Sequence, residues 1–380
     1  MRILHTSDWH IGRTFHGVDL QMDQVRVLAE IAALVESEQV DVVVIAGDVY
    51  DRSVPSADAV RACNSALVAI RDAGAIIVAT SGNHDSPARL GAGADFAAAG
   101  GLHLFTTVAG IAEPVQLADQ HGSVLFYGIP YLEPDVCRRE MGVPGARTHA
   151  DVLTAAMERI RQHAAAQEPG VRSVVLAHAF VVGGESTGSE RSISVGGVET
   201  VAAGVFSGVD YVALGHLHSP QVIDHPVRYS GSPLPYSFGE RTHRKGVWIV
   251  DLAADGLADV RLVELTPVRG LSQLTGTLPE LLADPIHESI EADYISAVLT
   301  DDVRPVDAMR KLQERFPHAV RVEWERPGGN PELRYRDRVR GRTDSEVVSS
   351  FLADVRSEAT ADELKLVEDA LSASMAETRG

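Results

Sequence analysis

Cysteine and long apolar runs are scarce in this chain, and both absences narrow what the protein can be. Only Cys63 and Cys137 occur among its 380 residues, which excludes a disulfide framework and a metal cluster held by thiolates. No stretch approaches the roughly 18 consecutive apolar residues of a membrane span. The first residues form no signal-peptide pattern. We therefore expect a soluble cytoplasmic protein with no membrane segment.

Positive charge is also scarce. The formal net charge of −19 argues against nucleic-acid binding over the whole surface, because a negative field repels a polyanion. A local basic groove, or DNA contacts supplied by a partner, stays compatible with this charge. One run of the chain is rich in arginine and contains Arg334, Arg336, Arg338, Arg340 and Arg342. In an extended chain these alternate residues would share one face, which suits binding to phosphates or to an acidic partner surface. The alternative is a solvated linker. Arg241, Arg244 and Lys245 form a second, weaker basic cluster.

What the chain does contain is a regular alternation of short branched apolar runs and amphipathic helical patterns. A hydrophobic content of 45% allows a large core and two or three domains. The apolar runs are typical of strands covered on both faces, and they lie at residues 3–4, 42–45, 76–78, 174–176 and 211–214. Helical spacing covers residues 21–38, 55–72 and 151–167. This alternation predicts a layered α/β core.

The patterns divide the chain into one large domain and three smaller segments. The predicted bounds are 1–266 for the α/β domain, 267–332 for a small α+β domain, 333–342 for the arginine-rich linker and 343–380 for a helical end. The helical end contains two capping-box patterns, Thr343 with Glu346 and Thr360 with Glu363. Each capping box predicts the start of an amphipathic helix, which needs a surface to pack against.

A polar cluster follows the end of each of the five apolar runs. The clusters are Asp8-Trp9-His10, Gly47-Asp48-Val49-Tyr50-Asp51, Gly82-Asn83-His84-Asp85, Ala177-His178 and Gly215-His216-Leu217-His218. Ligands of open α/β sheets gather at the carboxyl ends of strands, so we expect the five clusters to meet in one crevice. One such histidine alone would more often be structural, but five of the fifteen histidines fall in these clusters.

The residue types in the clusters favour a two-metal phosphoesterase site. Imidazole, carboxylate and amide ligands without sulfur suit Mn²⁺, with Fe²⁺ or Zn²⁺ as alternatives, and two divalent ions about 3.5–4 Å apart assist phosphodiester hydrolysis. Asp8 and His10 alternate along a stretch that we expect to be extended, so both should point to one ion. The predicted division is Asp8, His10, Asp48 and His218 on the first ion, and Asp48, Asn83, His178 and His216 on the second, with Asp48 as the bridge.

His84 is predicted to act on the substrate rather than to bind metal. A histidine exchanges protons near neutral pH, so His84 can stabilise the pentacoordinate phosphorus and protonate the leaving oxygen. Asp51 or Asp85 would orient its ring. Only Asp8 and Asp48 are ionised ligands, so four charges on two divalent ions would leave about two positive charges to attract a phosphate.

At these residues the chain resembles the calcineurin-like metallophosphoesterase superfamily, whose pattern is DxH, GDxxD, GNHD or GNHE, a lone His and GHxH. The resemblance to the SbcD family of nuclease subunits is closer, and it extends to Met1–Gly12 and to Tyr229-Ser230-Gly231-Ser232-Pro233. It implies a four-layer α/β sandwich of two β-sheets flanked by helices, a small α+β capping domain and a C-terminal helix-loop-helix. It also implies the ligand set above, with His84 as the catalytic histidine.

The resemblance further implies a Mn²⁺-dependent nuclease that works in DNA recombination, replication and repair. Its activities would be 3′-to-5′ exonuclease on double-stranded DNA and endonuclease on hairpins or blocked ends. The implied partner is an SbcC-type coiled-coil ATPase docked on the helical end, with a homodimer of this chain inside a heterotetramer. The absence of a G-x-x-x-x-G-K-[ST] loop agrees with ATP binding by another subunit, because residues 183–189 lack the lysine.

Two other functions stay open at this point. A phosphomonoesterase or a phosphodiesterase for small molecules would use the same metal site, although the extra domain and helical end argue against a compact phosphatase. A non-catalytic scaffold that binds DNA ends should have lost ligands, and none of the eight positions is degraded.

Overall fold

The computed structural model describes residues 1–190, 200–325, 341–355 and 359–377, which form two compact units, Met1–Val268 and Arg269–Gly380. The strands of the first unit are β1 Arg2–Thr6, β2 Thr14–Phe15, β3 Val18–Asp19, β4 Val42–Ala46, β5 Ile76–Thr80, β6 Leu102–Phe105, β7 Val115–Asp119, β8 Gly122–Ile129, β9 Arg172–His178, β10 Tyr211–Gly215, β11 Gln221–Val222, β12 Val227–Tyr229, β13 Gly246–Ala253 and β14 Gly256–Glu264. Its α-helices are α1 Gln21–Ser37, α2 Ala57–Asp72, α3 Pro87–Leu90, α4 Ala94–Ala99, α5 Pro134–Cys137 and α6 His149–Ala165.

Twelve of these strands form two six-stranded sheets. The strand order is β14-β13-β1-β4-β5-β6 in the first sheet and β11-β12-β10-β9-β8-β7 in the second. The central neighbours β1, β4, β5 and β6 are parallel, and so are β8, β9, β10 and β12. Parallel strands end at the same edge, so the segments after β1, β4 and β5 lie together, as do those after β9 and β10.

The two sheets pack face to face, with helices on their outer faces. Ile3 and Val44 of the first sheet share a buried core with Val174 and Tyr211 of the second. Side chains alternate along a strand, so the neighbouring residues of these strands point outward and need helical cover. The outer face of the second sheet packs on α6, and α2 contacts β5 while packing on α1. The predicted four-layer α/β sandwich is confirmed.

The second unit is smaller and is described by itself. Its strands β15 Leu271–Gly276, β16 Tyr294–Leu299 and β17 Ala319–Trp324 form a parallel three-stranded sheet, and its helices are α7 Leu278–Ala283, α8 Ala308–Arg315, α9 Asp344–Val355 and α10 Ala361–Glu377. Leu312 and Phe316 are fully buried beside the sheet. α9 and α10 contact each other, and both begin at the predicted capping boxes, because Glu346 accepts from Thr343 N and Glu363 from Thr360 N, each at 2.8 Å. None of the helices in the described residues is long and apolar enough to span a membrane.

Candidate metal centre

The five polar clusters meet in one crevice at the carboxyl ends of β1, β4, β5, β9 and β10. Three groups of side chains have ligand atoms within 4.8 Å of one another: Asp8, His10 and His218; His10, Asp48 and His84; and Asp8, Asp48 and His178. All six of these residues are buried. Asn83 joins them through its Oδ1 atom, which lies 2.9 Å from His178 Nε2. The His216 ring centroid is 5.3 Å from that of His178.

The backbone of the first cluster differs from the sequence prediction. Asp8 and His10 were expected on an extended stretch, which is wrong, because their φ angles are 52° and 45°. Asp48 has a φ of 51° as well. Left-handed backbone costs on the order of 1–3 kcal/mol for each non-glycine residue and persists only where neighbours hold it. Here Asp8 N donates to Gly47 O at 3.1 Å and His10 N to Asp48 O at 3.0 Å, so the two clusters hold each other.

Two motif glycines lie where no side chain fits. A Cβ atom on Gly82 would stand 2.1 Å from Asp48 Oδ1, and one on Gly215 would stand 1.9 Å from Ala46 O. Both distances are shorter than van der Waals contact. A larger residue at Gly82 would push apart the loops after β4 and β5 of the first sheet, and one at Gly215 would push the end of β10 in the second sheet away from β4. The glycines of the GN and GH pairs therefore set how closely the clusters approach.

Asp48 lies at the centre of the crevice. Its Oδ2 atom is 3.4 Å from His178 Nε2, 3.6 Å from His10 Nε2 and 4.0 Å from His84 Nε2. Its Oδ1 atom accepts from His84 N at 2.9 Å. Burial opposes ionisation of Asp48, but the positive charge and hydrogen bond of His178 outweigh it and hold its pKa well below the usual value. A carboxylate with both oxygens in the site is suited to bridge two ions.

Asp8 has a different environment from Asp48. Its carboxylate accepts from Ser7 Oγ and, at 3.1 Å, from His216 N. Burial raises the pKa of Asp8, which is only partly offset by nearby histidines. Ser230 donates to Ser7 Oγ at 2.8 Å, so the Tyr229–Pro233 motif helps to hold Asp8 from the second sheet.

The histidine nitrogens show that the crevice requires positive charge. His178 Nδ1 donates to Ala46 O at 2.9 Å, while its Nε2 faces oxygen atoms of Asn83 and Asp48. Burial lowers the pKa of His178, but Asp48 reverses this and the pKa rises to about 9. Burial and, after it, the positive charge of His178 lower the pKa of His216 to about 3. A proton or a metal cation can satisfy Nε2 of His178.

Other contacts also fit a metal ion. His10 Nε2 and His218 Nε2 face each other at 3.1 Å, so their lone pairs can converge on one cation. His10 Nδ1 and Asn83 Nδ2 are buried without a hydrogen-bond partner. The donors are nitrogen and oxygen without sulfur, the set that suits Mn²⁺, Fe²⁺ or Zn²⁺. The residues therefore fit divalent ions.

His84 stands at the margin of this cluster. It is 8% exposed, and its ring centroid is 4.5 Å from that of His10. Its Nδ1 atom donates to the main-chain carbonyl of Asp51 at 2.7 Å. Asp51 thus orients the ring through its backbone, while its carboxylate lies 3.6 Å from Arg13. The Nε2 atom of His84 faces Asp48 Oδ2 at 4.0 Å.

Asp85 contacts the backbone rather than the His84 ring. Its carboxylate accepts from the backbone nitrogens of Val49 at 3.1 Å, Tyr50 at 2.9 Å and Gly82 at 2.9 Å. Burial and the charge of Asp48 raise the pKa of Asp85 to about 7. Asp85 therefore ties the second cluster to the third.

Sequence reasoning missed several buried side chains that support the crevice. Gln24 of α1 donates to His10 O at 2.7 Å and accepts from Gly12 N at 3.0 Å. Lys245 was predicted to form a weak basic cluster with Arg241 and Arg244, but it is buried in an ion pair with Glu240 and offers no free charge. Its position directly before the buried strand β13 was the available signal. Of the arginine run, Arg334, Arg336, Arg338 and Arg340 lie outside the described residues, and Arg342 is exposed.

Family models match both units of the chain. A model described as calcineurin-like phosphoesterase matches residues 1–220, which is more than half of the 380 residues. The chain belongs to the calcineurin-like phosphoesterase family. A second model, SbcD_C, described as the type 5 capsule protein repressor C-terminal domain, matches residues 267–356. The two matches together confirm the SbcD-type resemblance, and the clustered ligands agree with a metal-dependent phosphoester hydrolase.

This calcineurin-like phosphoesterase is also similar to solved structures at low identity. TT1561 of Thermus thermophilus is 13% identical over 69% of this chain and 98% of its own, with a TM-score of 0.40. GAP50, the anchor in the inner membrane complex of Plasmodium, is 11% identical over 88% and 99%, with a TM-score of 0.41. A dimetal phosphatase from Danio rerio is 11% identical over 70% and 99%, with a TM-score of 0.37.

Proposed function

We propose that this chain is a Mn²⁺-dependent DNA nuclease subunit that hydrolyses phosphodiesters with two metal ions. It acts as a 3′-to-5′ exonuclease on double-stranded DNA and as an endonuclease on hairpins or blocked ends, in DNA recombination, replication and repair. The observation that carries this proposal is the convergence of two carboxylates and five histidines in a phosphoesterase that also matches the SbcD_C model.

The chain's own residues have distinct tasks in the proposed reaction. Bound divalent ions supply charge relief on the phosphate and an activated water. The residues that would hold the ions are Asp8, His10, Asp48, Asn83, His178, His216 and His218, and Asp48 would be the ligand common to both. His178 Nε2 and His10 Nε2, which belong to the two different ligand sets, both approach Asp48 Oδ2, so Asp48 is suited to be the ligand that the two ions share.

His84 protonates the leaving oxygen in this proposal. His84 Nδ1 donates a hydrogen bond to the Asp51 carbonyl. This bond fixes the ring with Nε2 towards Asp48. In this role the His84 ring carries a proton on both nitrogens before the transfer. Nε2 approaches the phosphate and donates its proton to the leaving oxygen, and the neutral ring keeps the proton on Nδ1. Asp51 and Asp85 act as orienting residues, Asp51 on the His84 ring and Asp85 on the loops beside it.

The proposal assigns partner binding to parts outside the crevice. Residues 267–332 act as the capping domain, and residues 343–380 dock on an SbcC-type coiled-coil ATPase. In that segment Phe351 is 48% exposed and Leu366 is 68% exposed, which leaves apolar surface for a partner. Phe96 of α4, at 89% exposed, is a candidate contact between two copies in a homodimer. The arginine run 334–342 contacts DNA phosphates.

End-labelled DNA tests the proposal directly. The purified chain is incubated in MnCl₂ with duplex and hairpin DNA, with and without the ATPase partner, and with a generic aryl phosphate. We expect Mn²⁺-dependent shortening of the duplex and opening of the hairpin. Hydrolysis of the aryl phosphate without cleavage of any DNA would identify a phosphatase instead. DNA binding without hydrolysis of any substrate would identify a scaffold.

A further inference from the structure

A partly buried chain of hydrogen bonds leads away from His218. Its Nδ1 atom lies 2.6 Å from Ser189 Oγ, and Ser189 Oγ donates to Glu240 Oε1 at 2.6 Å. The other oxygen of Glu240 is paired with the Lys245 ammonium. The side chains of His218, Glu240 and Lys245 are 1%, 0% and 8% exposed, so water screens the Glu240–Lys245 pair little, while Ser189 itself is half-buried.

The order of these contacts assigns the proton on His218. A carboxylate can only accept, so the single hydroxyl proton of Ser189 goes to Glu240. The Ser189 oxygen must then accept from His218, which places the imidazole proton on Nδ1. Nε2 keeps its lone pair, and this atom faces His10 Nε2 in the crevice. A metal-binding histidine needs this tautomer.

Lys245 also fixes the backbone of the same residue. Its ammonium donates to His218 O at 2.6 Å and to Ser232 Oγ at 3.0 Å. Ring and main chain of His218 are thus held by the two ends of one ion pair. Burying two charges is unfavourable unless their partners are well placed, and an apolar pair of similar volume often stabilises a core equally well. The ion pair therefore calls for a role other than stability.

We propose that Ser189, Glu240 and Lys245 are positioning residues that hold His218 in the orientation and tautomer that bind metal. This inference rests on the proposed function, in which His218 is a ligand of the first ion. Ser189 stands between imidazole and carboxylate, so the arrangement is a carboxylate–histidine–metal triad extended by one hydroxyl.

Metal binding by the full-length chain tests this inference. After removal of metal with EDTA, MnCl₂ is titrated by calorimetry into the unchanged chain and into Ser189→Ala, Ser189→Thr and Glu240→Gln. We expect two sites in the unchanged chain, and a loss of about 10–100-fold in affinity at one of them in Ser189→Ala and Glu240→Gln. Ser189→Thr keeps a hydroxyl and should retain most of the affinity.

The matched control is the buried ion pair at the other end of the second sheet. Asp119→Asn removes the partner of Arg172 and should leave both Mn²⁺ affinities unchanged. Ser189→Ala leaves the Glu240–Lys245 pair intact, so it decides the case if Glu240→Gln does not fold. In ¹⁵N-histidine spectra of the metal-free chain, His218 should carry its proton on Nδ1, and Ser189→Ala should mix the two tautomers.

The outcomes separate the inference from the proposed function. Two unchanged affinities in folded Ser189→Ala, with an unchanged His218 spectrum, would overturn the positioning role while leaving the metal site in place. An equal loss in Asp119→Asn would also overturn it, because the effect would then come from general instability. Failure of the unchanged chain to bind Mn²⁺ would overturn the proposed metal site and the positioning role with it.

Discussion

Arg172 and His178, the first and last residues of strand β9, are both buried, but the charged groups around them are arranged differently. At the first end, Arg172 is 2% exposed and donates to both carboxylate oxygens of Asp119, at 3.0 and 2.6 Å. It also donates to Ala253 O at 3.1 Å and to Gly122 O at 2.9 Å. Asp119 has its pKa lowered, first of all by the hydrogen bond from Arg172. Asp119 Oδ2 also accepts from the Met1 ammonium at 2.7 Å, so each charge at this end has a partner of opposite sign.

At the last residue of the strand, His178 pairs with Asp48, but other groups around this pair lack a partner. Asp8 and Asp48 both lie beside it, and their pKa values shift in opposite directions. His10 Nδ1 and Asn83 Nδ2 have no hydrogen-bond partner, and the backbone of Asp8 and Asp48 is left-handed. The ligand atoms at this end that lack a partner are suited to bind added cations.

The difference indicates which part of the sandwich serves stability and which serves chemistry. A paired buried charge affects the free energy of unfolding. When one partner is removed, the other charge stays buried without a partner, and this strongly destabilises the fold. An unpaired cluster is held by the rest of the fold and is kept for function. Changes at the two ends should therefore affect different measurements.

The largest effect is expected for Asp48→Asn. Bound metal contributes several kcal/mol to phosphoester hydrolysis, so loss of the bridging carboxylate should reduce Mn²⁺-dependent cleavage by about 10³-fold or more. Cleavage of labelled duplex DNA and the Mn²⁺ content by mass spectrometry are the measurements. Circular dichroism serves as the control for folding. Normal cleavage with two bound ions would show that Asp48 is not the bridge.

His84→Gln should separate proton transfer from metal binding within the same end. A general acid contributes about 10²–10⁴-fold, so cleavage should fall by that range while Mn²⁺ content stays at the value of the unchanged chain. The loss should be smaller for a substrate with a good leaving group, which needs no protonation. Equal losses for good and poor leaving groups would argue against the acid role.

Arg172→Met should change stability and spare the chemistry. Removing one member of a buried pair destabilises by about 3–5 kcal/mol. The Asp119 carboxylate keeps its contact with the Met1 ammonium at 2.7 Å, so the loss should lie at the lower end of this range. Urea unfolding of the first unit reports this through Trp9 and Trp248, in a Trp324→Phe background that silences the second unit. Asp119→Leu added to Arg172→Met should recover part of the loss. The rate of cleavage by folded molecules should stay the same.

The comparison also explains how far the sequence could predict this protein. Branched runs such as Val42–Ile45 predict strands because burial on both faces leaves a local apolar signature, and they are strands in the structure. The Thr343 capping box is equally local, and its reciprocal hydrogen bonds form. The five clusters were predictable because strand ends of parallel sheets meet at one edge. These features depend on nearby residues or on a general rule of topology.

The rest depends on partners that are remote in the sequence. Lysine is usually a surface residue, and only the contacts of Lys245 with Glu240 and with His218 O show that it is buried. The backbone of Asp8 follows from a hydrogen bond to Gly47, on another strand end. A single sequence without contacts cannot distinguish such a residue from a surface charge or an extended chain.

The smallest effect is expected at His5, which lies between the two sheets and belongs to neither end. It is fully buried, with Nδ1 at 2.9 Å from Tyr211 Oη and Nε2 at 3.1 Å from Leu214 O. Burial lowers the pKa of His5 to about 3, so the folded chain keeps it neutral while the unfolded chain takes up a proton below about pH 6.5.

Stability should therefore fall as the pH drops below 6.5, by about 1.4 kcal/mol per pH unit from this residue alone until the pH approaches 3. The measurement is the free energy of unfolding of the metal-free chain in urea at pH 7.5 and 5.5, for the unchanged chain and for His5→Gln. The other histidines contribute equally to both, so the unchanged chain should lose about 1.4 kcal/mol more than the variant over this interval. Equal losses would mean that His5 is protonated within the fold.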